Sequence, residues 1–247
     1  MTQALDQLEQ FATLDLHRSA RTGIPEVVLA ERKTPAQTLA IAQQLLHELG
    51  RVLLSRVPPE ALALLEQSLQ ADVIWTRYAE GRTLALHVQG ADVVPNGGHV
   101  GVLTAGTSDI PVAEEAAALC HEMGCQVHSA YDVGVAGLHR LFEPLRMLLA
   151  APVDAIVVAA GMDGALPSVV AGLVDVPVIG LPTSVGYGLG GGGMGSLTSM
   201  LQTCAPGLAV VNIDNGIGAG AMAGLIAARA GMARASRRTE NTEQRTK

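Results

Sequence analysis

The sequence contains very few aromatic side chains: one Trp, three Tyr and two Phe among 247 residues, or 2%. Apolar residues nevertheless make up 49% of the chain. The core must therefore be built from Leu, Val, Ile and Ala, whose small side chains suit close packing of helices on a sheet. A chain of this length buries roughly 70–75% of its unfolded surface, so it needs no disulfide or structural metal to fold.

The sequence also lacks an excess of positive charge. Lys and Arg together number 16 against 23 Asp and Glu, which gives a formal net charge of −7. A nucleic-acid partner would need a broad basic face to neutralise its phosphates, so we exclude this class of partner. The basic residues from Arg234 to Lys247 are mixed with Glu, Asn and Thr. We predict a solvated, disordered polar tail over residues 233–247.

Cysteine is sparse as well. Cys120, Cys125 and Cys204 are few and odd in number, which is typical of a protein in a reducing compartment. Residues 1–10 have neither the basic region nor the apolar region of a signal peptide. The most apolar stretch, Val153 to Leu181, is interrupted by Asp and Pro, so we predict no membrane span. We expect a cytoplasmic protein without a membrane partner.

Residues 1–95 predict a small N-terminal α/β domain. A polar linker containing Gly23 and Pro25 lies near its start, and the turn-forming cluster Val94-Pro95-Asn96-Gly97-Gly98 marks its end. The predicted helices are Gln3–Leu14, Pro35–Leu49 and Pro58–Leu69, and the predicted strands are Arg51–Val57, Asp72–Tyr78 and Thr83–Val88.

Residues 96–232 alternate apolar strands with helices. The predicted strands are Val100–Ala105, Gln126–Ala130, Ala155–Ala159, Val176–Leu181 and Leu208–Ile213. The predicted helices are Val112–Met123, Leu138–Ala150, Leu166–Leu173, Ser196–Thr203 and Ala219–Ala230. This alternation predicts a three-layer α/β domain, a parallel sheet with helices on both faces. In such sheets, ligands bind beyond the carboxyl ends of the strands.

The first of these strands ends in Gly106, Thr107, Ser108 and Asp109, which lead into a helix. Glycine allows a ligand to approach the backbone closely, and the hydroxyls and helix N–H groups suit a phosphate or carboxylate. We expect these residues to face a ligand, and Asp109 could also hold Mg²⁺. The same residues are typical of a helix N-cap, so both interpretations stay open.

The next two strands each end near a carboxylate, Asp132 and Asp163. A single Asp at such a position is usually a turn or cap residue. Two carboxylates at one edge of a sheet can divide acid and base roles, so we hypothesise such roles for this pair. The flanking residues predicted to contact a ligand are Tyr131, Gly161, Met162 and Gly164.

The fourth strand is followed by a loop with seven glycines between residues 186 and 195. Folding such a loop costs backbone entropy, and its N–H groups can surround an anion. Gly186, Gly188 and Gly191 match a dinucleotide fingerprint, with Asp214 as its acidic residue, but so many glycines match easily. No Lys follows, which excludes a P-loop. The predicted ligand contacts are Thr183, Ser184, Gly186, Tyr187 and Gly188.

Cys204 follows a predicted helix. A lone Cys is usually a small buried apolar residue, and a helix C-terminus disfavours the thiolate. With an ordinary pKa of ~8.5, only about 3% of such a thiol is ionised at pH 7. The alternative is a reactive thiol, which needs a nearby cation. Cys120 and Cys125 indicate ordinary packing, and their spacing is poor for zinc.

The strand-end motifs together resemble a known family, the aminoimidazole ribonucleotide (AIR) carboxylases and mutases of purine synthesis. The motifs that carry this resemblance are Gly106–Asp109, Ser129–Asp132, Ala160–Pro167 and Pro177–Pro182. Other motifs resemble its LarB-type branch, the pyridinium-3,5-biscarboxylic acid mononucleotide synthases of nickel-pincer cofactor biosynthesis. These are Leu14–Arg18, Arg21–Gly23, Gly186–Gly188, Cys204–Gly207 and Val211–Gly216, so the resemblance covers nearly the whole chain.

The resemblance to the LarB-type branch implies a reaction. The expected substrate is nicotinic acid adenine dinucleotide, carboxylated on its pyridinium ring by carbon dioxide or bicarbonate with release of AMP. It implies that Cys204 forms a covalent adduct, that Asp163 or Asp132 is the base, and that Mg²⁺ arrives with the substrate phosphates. The purine relatives imply a homo-oligomer, an octamer.

Two alternatives remain open. One is an AIR carboxylase or mutase, but those enzymes have a catalytic His where this sequence has Tyr131. The other is a non-catalytic dinucleotide-binding protein, for which Cys204 would be dispensable.

Overall fold

The computed structural model describes residues 12–245, with side chains through residue 237. It divides into two compact units between Val93 and Val94. The predicted helix Gln3–Leu14 lies outside the described residues up to position 11, and residues 12–14 are not helical.

The N-terminal unit is a four-stranded mixed sheet in the order β1-β2-β4-β3. Strand β1 pairs parallel to β2, whereas β4 pairs antiparallel to both β2 and β3. The segment before Thr34 is predicted to be a linker, but part of it forms strand β1. Backbone pairing to β2 stabilises this strand of three residues. The elements are α1 (Arg18–Thr22), β1 (Val27–Leu29), α2 (Pro35–Leu49), β2 (Arg51–Ser55), α3 (Pro59–Ser68), β3 (Val73–Tyr78) and β4 (Thr83–Val88).

Helix α2 has the bounds that the sequence predicts, and its ends explain why. The Thr34 side chain accepts a hydrogen bond from the Gln37 N–H (3.2 Å), while the Thr34 N–H donates to the Gln37 side chain (3.0 Å). This reciprocal capping satisfies two helix donors that would otherwise have no partner. At the other end Gly50 adopts a left-handed conformation with φ of 72° and donates its N–H to the Leu46 carbonyl, which stops the helix.

The C-terminal unit is a five-stranded sheet with every neighbouring pair parallel, in the order β6-β5-β7-β8-β9. The predicted strands of this half are confirmed within two residues, except that the last one ends three residues early. Its elements are β5 (His99–Thr104), α4 (Ile110–Glu122), β6 (Gln126–Ala130), α5 (His139–Ala150), β7 (Ala155–Ala160), α6 (Leu166–Ala171), β8 (Val178–Pro182), α7 (Met194–Leu201), β9 (Leu208–Val210) and α8 (Gly216–Arg245).

Helices cover both faces of this sheet, so the three-layer α/β prediction is confirmed. Along β7 all six residues are buried, and their side chains alternate between two apolar clusters. Helices α4 and α8 pack on one face, with Ala113, Ala116, Ala219 and Ala223 fully buried. Helices α5, α6 and α7 pack on the other face.

The strand order reverses at β5, because β6 lies on one side of it and β7 on the other. The chain leaves β5 toward the α4 face and leaves β7 toward the α6 face. A crevice opens at such a switch point, beyond the carboxyl ends of the two strands. A ligand site is therefore expected at the segments after β5 and β7.

Helix α8 corrects the predicted disordered tail. The helix continues to Arg245, and residues 246–247 lie outside the described part. Ala and Arg are good helix formers, which favours continuation through Ala233, Arg234 and Ala235. Arg234 also anchors this part, because its guanidinium binds the Asp154 carboxylate (2.8 Å) and the Gly97 carbonyl (2.6 Å).

Residues 216–237 of α8 are long and apolar enough, by length and composition, to cross a membrane. In the structure this helix packs along α4 and the sheet, and Ala219, Ala223 and Ala227 are fully buried. The core helix of a soluble protein meets the same criteria of length and hydropathy, so α8 is accounted for by its packing here.

The Asp154–Arg234 pair predicts a pH-dependent stability. Burial disfavours the Asp154 carboxylate, but hydrogen bonds from Arg234 and the His99 N–H outweigh it, so the pKa of Asp154 lies below its ordinary value. The lowered pKa contributes stability that is present above the unfolded pKa of about 4. This stability is lost as the pH falls through the lower pKa of the folded state.

We expect Arg234→Ala to reduce the free energy of unfolding by about 1–2 kcal/mol at pH 7, since Arg234 is partly exposed. Urea denaturation at pH 7 and pH 3 measures the free energy of unfolding of both proteins. The difference between wild type and Arg234→Ala should be smaller at pH 3. Arg237→Ala, an exposed position one turn later on α8, is the control and should have little effect. An equal loss in both variants would contradict this account.

Candidate functional site

The segments after the five parallel strands form what we call the carboxyl edge. Three residues there, Asp132, Met162 and Asp214, have left-handed backbones with φ of 58°, 53° and 54°. This conformation costs an ordinary residue about 1–2 kcal/mol, less for Asp. Such strain often marks functional sites, so its occurrence after β6, β7 and β9 supports a site at this edge.

Asp109 joins the ends of two strands from inside the protein. Its side chain is buried, with only 3% of the residue exposed. One carboxylate oxygen accepts a hydrogen bond from the Thr183 hydroxyl (2.6 Å), and the other accepts one from the Gly106 N–H (2.8 Å). Thr183 in turn donates its N–H to Ala160 at the end of β7. The ends of β5, β7 and β8 are thereby fixed relative to one another.

The environment of Asp109 raises its pKa above the ordinary value. Burial is the largest cause, and the Asp214 carboxylate nearby adds to it. Hydrogen bonds from Thr183, Gly106 and the Gly161 N–H act in the opposite direction. Asp109 therefore becomes protonated at a higher pH than a solvated Asp does.

These contacts bear on the two interpretations of Asp109, a metal ligand and a helix N-cap. Each oxygen of its carboxylate accepts a hydrogen bond within the protein, and the role of Asp109 in holding Mg²⁺ stays a prediction. Asp109 is the N-cap residue of α4 by position, but its side chain accepts no hydrogen bond from that helix. Among residues 12–237, no group of three or more His, Cys, Asp or Glu side chains could hold a metal.

Asp214 is a site residue whose role the sequence did not predict. It follows β9, donates its N–H to the Pro182 carbonyl (2.8 Å) and accepts the Ser184 N–H on its carboxylate (2.8 Å). It therefore fixes the start of the glycine loop, residues 186–195. It is the acidic residue of the dinucleotide fingerprint, and its carboxylate here binds the Ser184 N–H.

Gly161 and Gly164 are required for packing of the loops. A Cβ at Gly161 would lie 2.2 Å from the Val185 carbonyl oxygen, so no larger residue fits. Gly164 has φ of +60°, and a Cβ there would lie 2.7 Å from the Ser196 carbonyl oxygen. Both predicted ligand contacts thus have a structural role that does not involve a ligand.

The side chains that are accessible at the carboxyl edge are polar. Thr107, Ser108 and Ser184 are exposed next to the start of α4 and the glycine loop. Exposed Asp132 forms an ion pair with Arg140 at 2.7 Å. Sequence reasoning missed this partner although Arg140 is the second residue of the next helix. Exposed Asp163 accepts a longer hydrogen bond, 3.4 Å, from the Ala165 N–H.

Tyr131 lies partly inside the protein. Its ring packs against the apolar cluster formed by α4, α8 and the sheet, and burial raises the pKa of its phenol while a hydrogen bond with Ser129 opposes this shift. Its ring therefore contributes to the core of that face. No imidazole occupies this position.

The glycine loop is open to its surroundings. Tyr187 and Leu189 are highly exposed, and residues 188–193 form a short 3₁₀ segment. A Cβ at Gly188, Gly191 or Gly192 would have no other atom within 4 Å. Gly186, Tyr187 and Gly188 are exposed, as an anion-binding loop requires.

Cys204 is the exposed cysteine of the three. Cys120 and Cys125 are buried in the α4–α8 cluster, and burial raises the pKa of both thiols. Their predicted role as packing residues fits this environment. Only Cys204 is accessible to a ligand.

The structure does not bring Cys204 near Asp132 and Asp163 within one chain. Helix α7 runs away from the carboxyl edge: Ser196 bonds the end of β7 (2.6 Å), whereas Met200 contacts Gly180 in the middle of β8. Gly207 then accepts the N–H of Val178, the first residue of β8. Cys204 thus lies toward the opposite, amino edge, about the length of α7 (~12 Å) from the glycine loop.

These features define a class of protein. A parallel α/β sheet with a switch point between β5 and β7, hydroxyls at a helix start and an open glycine loop are features typical of α/β proteins that bind anionic ligands such as nucleotides.

Comparison with known proteins identifies the family within this class. The sequence model of the AIR carboxylase family matches residues 99–247, and that of the LarB/PurE-like N-terminal domain matches residues 5–88. The chain therefore belongs to the AIR carboxylase family.

Individual proteins and one solved structure are similar to this chain. An uncharacterized protein of Methanocaldococcus jannaschii is 43% identical over 90% of this chain and 86% of its own length. The N5-carboxyaminoimidazole ribonucleotide mutase of Thermotoga maritima is 31% identical over 51% of this chain and 73% of its own. A solved structure of a Treponema denticola PurE2 variant aligns with a TM-score of 0.42 and 18% identity, over 60% of this chain and 98% of that one.

The Asp109–Thr183 bond yields a prediction about stability. Thr183→Val keeps the shape and removes the donor, so we expect a loss of about 1–3 kcal/mol of unfolding free energy at pH 7. A carboxyl with a raised pKa contributes stability that is present below its unfolded pKa and lost as pH rises through the folded one. The deficit should therefore narrow as Asp109 becomes protonated at lower pH.

Urea denaturation at pH 7 and pH 4 measures this difference. Thr198→Val is the control, because the exposed Thr198 hydroxyl donates to the Met194 carbonyl within its own helix α7. A deficit for Thr183→Val that does not change with pH would contradict the proposed role of the Asp109 carboxylate.

Proposed function

We propose that this protein carboxylates the pyridinium ring of nicotinic acid adenine dinucleotide and cleaves its phosphoanhydride, releasing AMP and pyridinium-3,5-biscarboxylic acid mononucleotide. The observation that carries the proposal is the pairing, in one chain, of an AIR carboxylase domain with a LarB/PurE-like N-terminal domain. The product would serve nickel-pincer cofactor synthesis in the cytoplasm.

The chemistry of the ring explains why a nucleophile is needed. A pyridinium ring is electron-poor and does not attack carbon dioxide. Addition of a thiolate to carbon four gives a dihydropyridine, whose carbon five is nucleophilic and forms the new bond to carbon dioxide. A base then removes the proton from carbon five, and expulsion of the thiolate restores the aromatic ring.

Cys204 is the residue that fits the nucleophile. It is the exposed thiol of the chain, whereas the other two are buried with raised pKa values. A thiolate both adds and leaves, while a serine alkoxide is too basic to be available near neutral pH. The positive charge of the bound pyridinium favours the thiolate, which compensates for its position after a helix C-terminus.

Asp163 is the better candidate for the base. Both it and Asp132 are exposed at the carboxyl edge, but Asp132 is held by the Arg140 guanidinium at 2.7 Å. The hydrogen bond that Asp163 accepts from Ala165 is long, at 3.4 Å, so its carboxylate is freer to take a proton. Asp132 with Arg140 suits a role in orienting the substrate.

The phosphates of the dinucleotide fit the segment after β5 and the glycine loop. Thr107 and Ser108 are exposed before α4, a helix of 13 residues whose N-terminus favours an anion. Ser184 and the open backbone of Gly186 and Gly188 lie at the end of β8. Mg²⁺ would enter bound to the phosphates and reduce their charge during cleavage.

A mutase acting on a purine precursor is the second candidate, because relatives with that name are 31% identical over about half of this chain. The position of their catalytic imidazole is taken here by Tyr131, whose ring packs in the core. Incubation with carboxyaminoimidazole ribonucleotide distinguishes the two functions: turnover of it, and not of the dinucleotide, would establish the mutase. A non-catalytic binding protein would turn over neither.

We further propose a homo-oligomer, an octamer. Helix α8 exposes Met222 and Met232, and no charged residue occurs between residues 216 and 228. Apolar surface without charge is typical of the core of subunit interfaces.

Replacement of Cys204 tests the covalent mechanism. Cys204→Ser should lower carboxylation of the dinucleotide at least about a thousandfold, since the nucleophile is lost. Wild-type protein with the dinucleotide should develop a dihydropyridine absorbance band and a matching reversible mass increase, and the variant should show neither. Cys120→Ser and Cys125→Ser are controls with activity close to wild type. Full turnover by Cys204→Ser would exclude the adduct.

Replacement of the two carboxylates tests the assignment of the base. Asp163→Asn should lower the rate about 10²–10⁴-fold while the adduct still forms, because proton removal follows addition. Asp132→Asn should lower it less than about tenfold and mainly raise KM. Single-turnover kinetics that follow the absorbance of the adduct separate these steps. The reverse ranking would make Asp132 the base.

A further inference from the structure

The N-terminal unit contains a cavity that the proposed reaction does not use. Its volume is about 340 Å³, which is near the lower limit for small-molecule sites. All of its lining residues lie between Gln43 and Val88, so the cavity belongs wholly to the N-terminal unit. Its size suits a molecule smaller than a dinucleotide.

The cavity lies where two helices end at the same end of the four-stranded sheet. Helix α2 ends just before β2 begins, and α3 ends shortly before β3 begins. Strands β2 and β3 are both antiparallel to β4, and they start at the same level, because Arg51 pairs with His87 and Val73 pairs with Val88. Helices α2 and α3 therefore run in the same direction, and their C-termini lie together at this level.

The floor of the cavity is apolar. Val73 and Val88 form a direct pair across β3 and β4, while Leu46 of α2 and Leu69 at the end of α3 also line the cavity. Leu46 is buried in the apolar core of this unit, and the other three side chains pack against that core and remain partly accessible. The apolar part of a ligand could bury these side chains further.

The polar part of the lining favours positive charge in a ligand. It consists of Gln43, His47, Ser68, Gln70 and Asp72, with no Lys or Arg. The last carbonyl groups of a helix have no partner within the helix, and each C-terminus carries about half a negative elementary charge. Two parallel helices that end together add these partial charges to the Asp72 carboxylate.

Basic residues on the neighbouring segments do not supply this charge. Arg51 begins β2 but lies on the opposite face of the sheet, because the next residue, Val52, packs in the core beneath the helices. Arg77 of β3 is held by Glu66 at 2.9 Å. Among residues 12–237, no Lys or Arg forms an ion pair with Asp72.

From this arrangement we infer that the N-terminal unit binds a small organic cation, an ammonium group carried on a short apolar body. The ammonium lies between Asp72 and the two helix C-termini, and the apolar body lies on the aliphatic floor. Phosphates and carboxylates are repelled by the same charges, so the cavity selects against anionic ligands such as the proposed dinucleotide.

Three probes of the same shape test the charge preference. Benzylamine is an ammonium at pH 7, benzyl alcohol is neutral and benzoate is an anion. Titration of each probe with the full-length protein, followed by the NMR signals of the probe, gives its affinity. Benzylamine should bind with a Kd of about 1 mM, benzyl alcohol at least about fivefold more weakly, and benzoate not measurably. Equal affinities for benzylamine and benzyl alcohol, or no binding of benzylamine, would overturn the inference.

Two variants locate the site. Asp72→Asn removes the carboxylate and should weaken benzylamine about two- to fivefold without changing benzyl alcohol. Ser68→Trp fills the cavity from an exposed lining position and should abolish binding of both probes.

Each variant has a matched control on α3. Glu60→Gln removes an exposed carboxylate at the other end of the helix, and Gln67→Trp adds the same indole at the neighbouring exposed position outside the cavity. Both should bind benzylamine as wild type does, and circular dichroism should show the same fold in all four variants. Wild-type affinity for benzylamine in Asp72→Asn, or an equal loss in Glu60→Gln, would show that the cavity does not select a cation. Should Ser68→Trp fail to fold, the comparison of Asp72→Asn with Glu60→Gln still decides.

Discussion

The buried hydrogen bond between Asp109 and Thr183 holds the candidate site together. It connects the segment after β5 to the end of β8 across the intervening β7. A carboxylate in this position is costly to bury, and the donors from Thr183, Gly106 and Gly161 offset that cost. Because these donors come from three different strand ends, the loops can place Thr107, Ser108 and Ser184 in a fixed arrangement.

Around this bond, the backbone fixes the loops while several polar side chains remain accessible. Gly161 lets the Val185 carbonyl approach closely, and Asp214 holds the Ser184 N–H. Asp132 and Asp163 then extend from strained or tight turns into the surroundings. A site built in this way can bind an anion through N–H groups and hydroxyls and still present a carboxylate for proton transfer.

A parallel sheet also imposes a restriction on this chemistry. Every segment that follows a strand lies at one edge, and every segment that precedes a strand lies at the other. Cys204 belongs to the second group, so its thiol and the carboxylates of the proposed reaction face opposite ends of the same unit.

The apolar strands and the turn residues between them were sufficient to predict the parallel fold, because it depends on local periodicity. The first and last residues of α2 were also predictable, because they depend on the capping residues Thr34 and Gly50. The sequence also determined which residues follow the strands. Local pattern could not reveal that Asp109 is buried or that Asp214 binds the Ser184 backbone, since these contacts join segments far apart in the chain. Arg140 lies only eight residues after Asp132, but their pairing depends on how the loop between β6 and α5 folds. The tail was mispredicted as disordered because Arg234 finds Asp154 only after folding. The position of Cys204 was likewise decided by strand direction, a property of the assembled sheet and not of the residues around the cysteine.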